Sequence, residues 1–329
     1  MKIYRMKPHV HFLLALTLVE NLGPKGLMNL LQTYGSPRKA YESIPRRIRL
    51  ELSLRAEEIN KQVIALGARV VSFHCEEYPL NLRNIYDAPG VIYVKGLIPL
   101  EIDKAIAVVG TRKCSEEGKR FAEMAVYQLA KNGFPLVSGM ALGIDTAAHK
   151  AAVLYGLKSV AVFAHGLERI HPKSNIRLAQ EIIEKGGAWI SEHPPGTKVL
   201  KWMFAARNRI LVGLCAGTVL AESPASGGSM ISLKLALGYG RATYAFQPPN
   251  AYMKRWDGNR LVIEDNKGFA IKTMAQWMKK LYKEVPAMKR SKLEINEAKK
   301  MAKASLESAL SLIPNPCKSV YKEVSLRTI

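Results

Sequence analysis

A chain of 329 residues, 48% hydrophobic and 23% charged, can bury a sizeable core and hold more than one domain, which excludes a disordered or fibrous protein. Its 49 Lys and Arg against 27 Asp and Glu leave a formal net charge of +22, spread along the whole chain, so the expected partner is a polyanion: nucleic acid or an anionic membrane. Cys75, Cys114, Cys215 and Cys317 form no Cys-x-x-Cys pair and have no His pair at ligand spacing, so they read as reduced thiols of a cytoplasmic protein, with no metal site.

At the amino terminus Lys2, Arg5 and Lys7 precede the apolar run 12–19, which imitates a signal peptide. No small-residue cleavage site follows, so the run is expected to be a core helix, and no stretch has the length of a membrane span. Residues 1–65 read as a small all-helical domain. Its first helix carries Phe12, Leu13, Leu16 and Val19, and its second Leu27, Leu30 and Leu31. The turn Leu22-Gly23-Pro24-Lys25-Gly26 is similar to that of a helix-hairpin-helix unit, with Asn21 where the first glycine would stand; a plain packing domain fits as well.

Residues 66–282 read as one sheet domain. A short edge strand at 70–73 comes first, then the apolar run 105–110 and a helix with Phe121, Met124, Ala125 and Leu129 on one face. The run 134–137 breaks at Ser138-Gly139, crosses a loop through Gly143, and resumes at helical spacing with Ile144, Ala147, Ala148 and Ala151. Strands at 159–163, 188–190, 217–221 and 242–246 follow, with helices opened by Ser174, at 207–214 and at 229–237 between them. Residues 254–259 read as a polar loop, and the apolar triplet 261–263 and a helix over 273–282 close the domain. Alternation of this kind predicts an α/β fold, a Rossmann-like parallel sheet covered by helices on both faces, with ligands at the carboxyl ends of its strands. Residues 283–329 are a basic tail with one weakly amphipathic helix at 306–312. Pro314, Asn315 and Pro316 interrupt the only place where a strand pair could lie.

Several residues of this sheet carry a resemblance. Gly110-Thr111-Arg112, then Ser138-Gly139-x-Ala141-x-Gly143-Ile144-Asp145-x-x-Ala148-His149, Asn208-Arg209-Ile210, and Gly228-Ser229 opening a helix stand in the order and spacing of the DNA-processing protein A family, also called Smf. The likeness runs from about residue 8 to 280. It implies a homodimer that coats and protects single-stranded DNA and helps load a RecA-type recombinase in natural transformation or recombination. It implies no catalytic residue, no cofactor and no membrane partner. The winged-helix domain that ends many family members has no counterpart in the tail.

The candidate phosphate contacts follow from the chemistry of the loops. Arg112, with Gly110, Thr111 and Lys113, lies just past the first parallel strand, and a guanidinium matches a phosphate through two parallel hydrogen bonds. Ser138 and Gly139, and Gly228 and Ser229, offer hydroxyls and close backbone approach beside new helix amino termini. Arg207, Asn208 and Arg209 offer donors ahead of an apolar run. Lys173, Lys234, Arg177 and Arg241 are rim charges. Trp202, Phe204, Phe163 and Tyr244 are candidate stacking platforms that spacing does not separate.

Gly143, Asp145 and His149 read as a structural motif, Asp145 capping the helix and His149 bonding the loop. A hydrolase reading of Ser138, Asp145 and His149 needs an exposed nucleophile and an oxyanion site as well. A second alternative is a nucleotide-processing enzyme, a phosphoribohydrolase of the lysine-decarboxylase-like type. That type carries an acid on the helix after its glycine loop. Here Gly227-Gly228-Ser229 is followed by none, and Glu222 precedes the loop.

Overall fold

The apolar runs pair into one sheet of nine strands in a computed structural model that describes residues 6–248 and 253–285. Four helices come first: α1 (Pro8–Thr17), α2 (Pro24–Tyr34), α3 (Pro37–Glu42) and α4 (Arg46–Ala65). The order then runs β1 (Ala68–Ser72), α5 (Leu80–Arg83), β2 (Val91–Gly96), β3 (Ile106–Val109), α6 (Glu116–Lys131), β4 (Leu136–Ser138), α7 (Ile144–Leu154), β5 (Ser159–Val162) and α8 (Ile176–Glu184). Next are β6 (Ala188–Ser191), α9 (Lys201–Ala206), α10 (Asn208–Gly213), β7 (Gly217–Leu220) and α11 (Gly228–Gly238). The last are β8 (Ala242–Phe246), α12 (Asp257–Glu264), β9 (Phe269–Ile271) and α13 (Met274–Glu284).

Across the sheet the order is β1-β2-β6-β5-β4-β3-β7-β8-β9. All pairings from β6 to β9 are parallel, while β2 runs antiparallel to both β1 and β6. The sheet is therefore mixed at one edge. The edge strand expected near residue 70 is β1, and β2 and β9 are additions to the expected set. β3 lies between β4 and β7, so the winding reverses direction there. Sheets of this kind bind ligands outside the carboxyl ends of the strands at such a reversal.

Side-chain alternation sends successive strand residues to opposite faces. Ala107, Val109, Val160 and Val162 join Ile210, Leu211, Leu233 and Val262 on one face, beneath α10, α11 and α12. Ile106, Val108, Leu136 and Val219 join Ala122, Ala148 and Trp277 on the other, beneath α6, α7 and α13. Beyond α8 that second face continues under the first helices, where Leu13, Leu16 and Leu27 share a cluster with Tyr93, Phe163 and Trp189. The run at 12–19 is thus a packing helix, with Leu13, Leu14 and Leu16 fully buried. Among the described residues no helix is long and apolar enough to cross a membrane. The turn between α1 and α2 holds Asn21 at φ 61°, and Lys25 beyond it places its ammonium 4.6 Å from the Tyr86 ring centroid.

Local expectations fail in a few places for identifiable reasons. Met124 is exposed, and Ala122 and Val126 take the core positions of α6 instead. Residues 254–259 are a 3-10 turn running into α12 rather than a loop. Trp256 and Asn259 are both sealed there, and the Asn259 side chain accepts from Ser223 N and donates to Leu220 O, Ala221 O and Phe246 O. Ser174 lies within a 3-10 turn, and the buried anchor beside it is Asn175, donating to Met140 O (3.0 Å) and Thr146 Oγ1 (2.8 Å). The tail at 286–329, with the helix expected at 306–312 and Cys317, lies outside the described residues.

Candidate nucleic-acid interface

The carboxyl edge of the parallel strands is built around two loops that lie on each other. Thr111 N donates to Glu222 O (2.8 Å), tying the loop after β3 to the end of β7, and Ile144 N donates to Thr111 O (3.3 Å). Gly143 sits at φ 78°, and a Cβ there would collide with the carbonyl oxygens of Thr111 and Arg112. This is a position only glycine fills without strain, because both its conformation and its neighbours exclude a side chain. The close packing turns Arg112 and Lys113 outward, where both are exposed.

Arg112 meets α9 across the edge. Its guanidinium carbon is 5.7 Å from the centroid of the Phe204 ring, within cation–π range, and His171 stands edge-on to the same ring at 5.9 Å. Lys173, Lys198 and Lys201 are exposed on the neighbouring segments. Aromatic faces set among cations at a strand edge suit a single nucleic-acid strand, whose phosphates take the cations and whose bases take the rings. Sequence reasoning passed over His171, Lys198 and Lys201. For Lys198 and Lys201 the available signal was their position just ahead of, and at the start of, the segment that ends at Arg207-Asn208-Arg209.

Behind this surface lies a sealed layer. Arg207 is buried, its Nη1 donates to Val162 O (2.5 Å), and a Cβ on Gly139 would strike its guanidinium. Burial holds Arg207 below the usual arginine range, with Asp145 opposing that shift and Arg112 adding to it. Asp145 is buried as well. Its carboxylate accepts from Ala141 N (3.2 Å), so it fastens the loop to the helix it opens, while burial raises its pKa against the pull of Arg207. Arg209 is likewise engaged inside, donating to Asp87 O (2.7 Å) and pairing with Glu192, while Asn208 is half-buried at the start of α10.

The residues of the hydrolase reading do not form a nucleophile site. Ser138 is fully buried and its hydroxyl donates to Val108 O (2.8 Å). His149, four residues after Asp145, is fully buried with Nδ1 3.4 Å from Ser159 Oγ, and burial pushes its pKa down to about 4. Glu222, the acid weighed for a nucleotide-processing enzyme, is sealed too: it accepts from Ser115 N (2.9 Å) and Ser115 Oγ (2.5 Å), anchoring the start of α6.

On the other side of β3, Gly228 is exposed at the start of α11, Ser229 is buried with its hydroxyl donating to Ser223 Oγ (2.7 Å), and Lys234 is exposed further along the helix. Arg177 is exposed and pairs with Glu181. Arg241 lies at the amino end of β8, the opposite edge, and donates to Asn81 O (2.7 Å), so it is no part of this rim. Of the four aromatic candidates, Phe163 and Tyr244 are core, Phe204 is half-exposed and Trp202 exposed. Among the described residues no group of His, Cys, Asp and Glu could hold a metal ion.

Residues 69–282 match the family described as DNA recombination-mediator protein A. The DNA processing protein DprA of Streptococcus pneumoniae is 44% identical over 168 residues, 51% of this chain and 59% of that protein. The one of Bacillus subtilis is 35% identical over 54% and 60%, and protein Smf of Escherichia coli 38% identical over 53% and 46%. The matched stretch thus spans about half to three-fifths of those relatives. Among solved structures, the S. pneumoniae protein is similar with a TM-score of 0.70 at 29% identity, covering 83% of this chain and 98% of that one. A Helicobacter pylori DNA processing protein A, described for its single-stranded DNA binding mode, is similar with a TM-score of 0.57 at 25% identity, covering 65% and 99%.

Proposed function

The chain belongs to the DNA recombination-mediator protein A family, and from that premise we propose that it binds single-stranded DNA along the carboxyl edge of its sheet. The observation that carries the reading is Arg112, turned outward by the Gly143 contact and lying over Phe204 among exposed lysines. Arg112, Lys113 and Lys173 hold backbone phosphates. Exposed Gly228 lets the strand approach the start of α11, and Lys234 extends the positive rim. Ser138, Ser229, Arg207, Asn208 and Arg209, with Gly110, Thr111 and Gly139, shape the loops from behind. The relative from H. pylori supports this choice of ligand. Protection of the strand, loading of a RecA-type recombinase, a homodimeric state and a cytoplasmic setting belong to the same proposal. It includes no chemistry on the DNA, in keeping with the engagement of Ser138 and Glu222 by internal partners.

An electrophoretic comparison of single-stranded and duplex DNA of equal length tests the reading. A duplex cannot bring both backbone and bases against one row of cations and rings. The single strand should therefore bind at least about tenfold tighter, roughly 1.4 kcal/mol. Equal affinities at moderate salt would leave only nonspecific charge attraction and defeat the proposal.

Arg112→Ala separates the phosphate grip from everything else. It should weaken binding to all sequences alike, because phosphates carry no base information, and flatten the slope of log affinity against log salt by about 0.7. Thermal stability should move by no more than about 0.5 kcal/mol, since the side chain is exposed. A variant with unchanged affinity and salt slope would move the interface elsewhere.

A further inference from the structure

Three of the four tryptophans are sealed: Trp189 is 5% exposed, Trp256 1% and Trp277 0%, whereas Trp202 is 59% exposed. Trp202 and Phe204 stand two positions apart on α9, which places them about 200° apart around the helix. Phe204 faces Arg112 and His171. Trp202 faces the other way, with the His193 ring edge-on at 6.5 Å and 79° behind it. Burial lowers the pKa of His193 to about 4, so near neutral pH it is an uncharged backing ring, and it repels no cation and attracts no phosphate. Lys198 and Lys201, four residues and one residue ahead of Trp202 in the chain, are both exposed. A large flat ring left in water on a segment that carries exposed lysines is complementary to a base attached to a phosphate, and every base has a face to stack.

We infer that Trp202 is a stacking platform for one base of the bound strand, extending the footprint from the Arg112–Phe204 grip across α9 to the end of β6. This rests on the single-strand reading above, and it adds to that reading a contact that takes the base rather than the phosphate. The strand then crosses α9 with a ring on each side of the helix. The contact favours no particular base strongly, because stacking reads the π-face and not the edge.

The test uses the full chain, an oligothymidylate, and an abasic strand of the same length and charge. Saturation of the wild type with oligothymidylate should quench the fluorescence of the one exposed indole. Trp202→Ala should weaken oligothymidylate binding by about fivefold to 100-fold and leave abasic-strand binding unchanged, while Trp202→Phe keeps most of the affinity. Loss of affinity for both strands in equal measure would assign Trp202 a structural part and overturn the inference. So would unchanged affinity of Trp202→Ala, or an unquenched indole, in a protein whose Arg112→Ala variant binds weakly. That pattern would leave single-strand binding itself intact. A wild type with no affinity for single strands would overturn both.

Discussion

Arg207→Ala should cost about 1.5 to 3 kcal/mol of stability, the range for a hydrogen bond made by a charged group, because it removes a buried guanidinium that donates to a buried carbonyl. The guanidinium lies against Gly139, donates to Val162 O and faces the Asp145 carboxylate, all sealed from water. Its removal takes away the charge that opposes the upward shift of the Asp145 pKa and leaves Val162 O without its donor, beneath the very loop that turns Arg112 outward. In a protein of this size the loss should lower the melting temperature by roughly 2 to 4 °C. Urea unfolding of the wild type, Arg207→Ala and the double variant Asp145→Asn with Arg207→Met decides the matter. The double variant should recover much of the loss, because no acid remains there to lose its opposing charge. A single variant within about 1 kcal/mol of the wild type would mean that the guanidinium is free to reach solvent, and would return Arg207 to the list of direct DNA contacts.

Acid should find its weak point at His149. Burial lowers its pKa from the ordinary 6.5 to about 4, so the folded protein keeps this ring neutral where the unfolded chain binds a proton. Stability is then unaffected above pH 6.5. It falls as the pH drops from 6.5 towards 4, at up to 1.36 kcal/mol per pH unit, or about 3 kcal/mol in all. His193 contributes in the same direction, with less weight because it is partly open to water. Asp145 and Glu192 work the other way over the lower part of the range, since burial raises both and the folded state holds their protons more tightly. Comparison with His149→Gln isolates the one ring. Between pH 6.5 and 4 the wild type should lose about 3 kcal/mol more than the variant. Parallel stability curves would show that His149 can take up a proton inside the fold, and would reopen the acid–base reading of Ser138, Asp145 and His149.

The central strands were legible because each of β3 to β8 is a short apolar run, buried on both faces, with turn residues at its ends. β9 escaped because Phe269, Ala270 and Ile271 stand alone among lysines, and only pairing with Tyr244 to Phe246 makes them a strand. β2 escaped because nothing local to Val91–Gly96 says that its partner is Ala188–Ser191, nearly a hundred residues on. Only the first turn of α12 reads as loop in the sequence, because hydropathy gives Asn259 no reason to be inside; four hydrogen bonds to backbone supply it.

The site was legible as to loops and only partly as to which cations face out. Arg112, Arg207 and Arg209 look alike in sequence. Their difference lies in partners brought from elsewhere: a ring for Arg112, Val162 O and Asp145 for Arg207, Asp87 O and Glu192 for Arg209. Charge can be counted along a chain, but burial and pairing follow from the tertiary fold.

β2 pairs with β1 on one side and β6 on the other, so the stretch that leads from the helices into the parallel sheet is itself woven into that sheet. A tether of that kind has no slack. α1 packs on β1 and β2, and its leucines share one cluster with Tyr93 and Trp189, so any swing of α1–α4 would have to tear ladder hydrogen bonds and uncover that cluster together. The helices consequently act as a fixed bracket and not as an arm on a hinge.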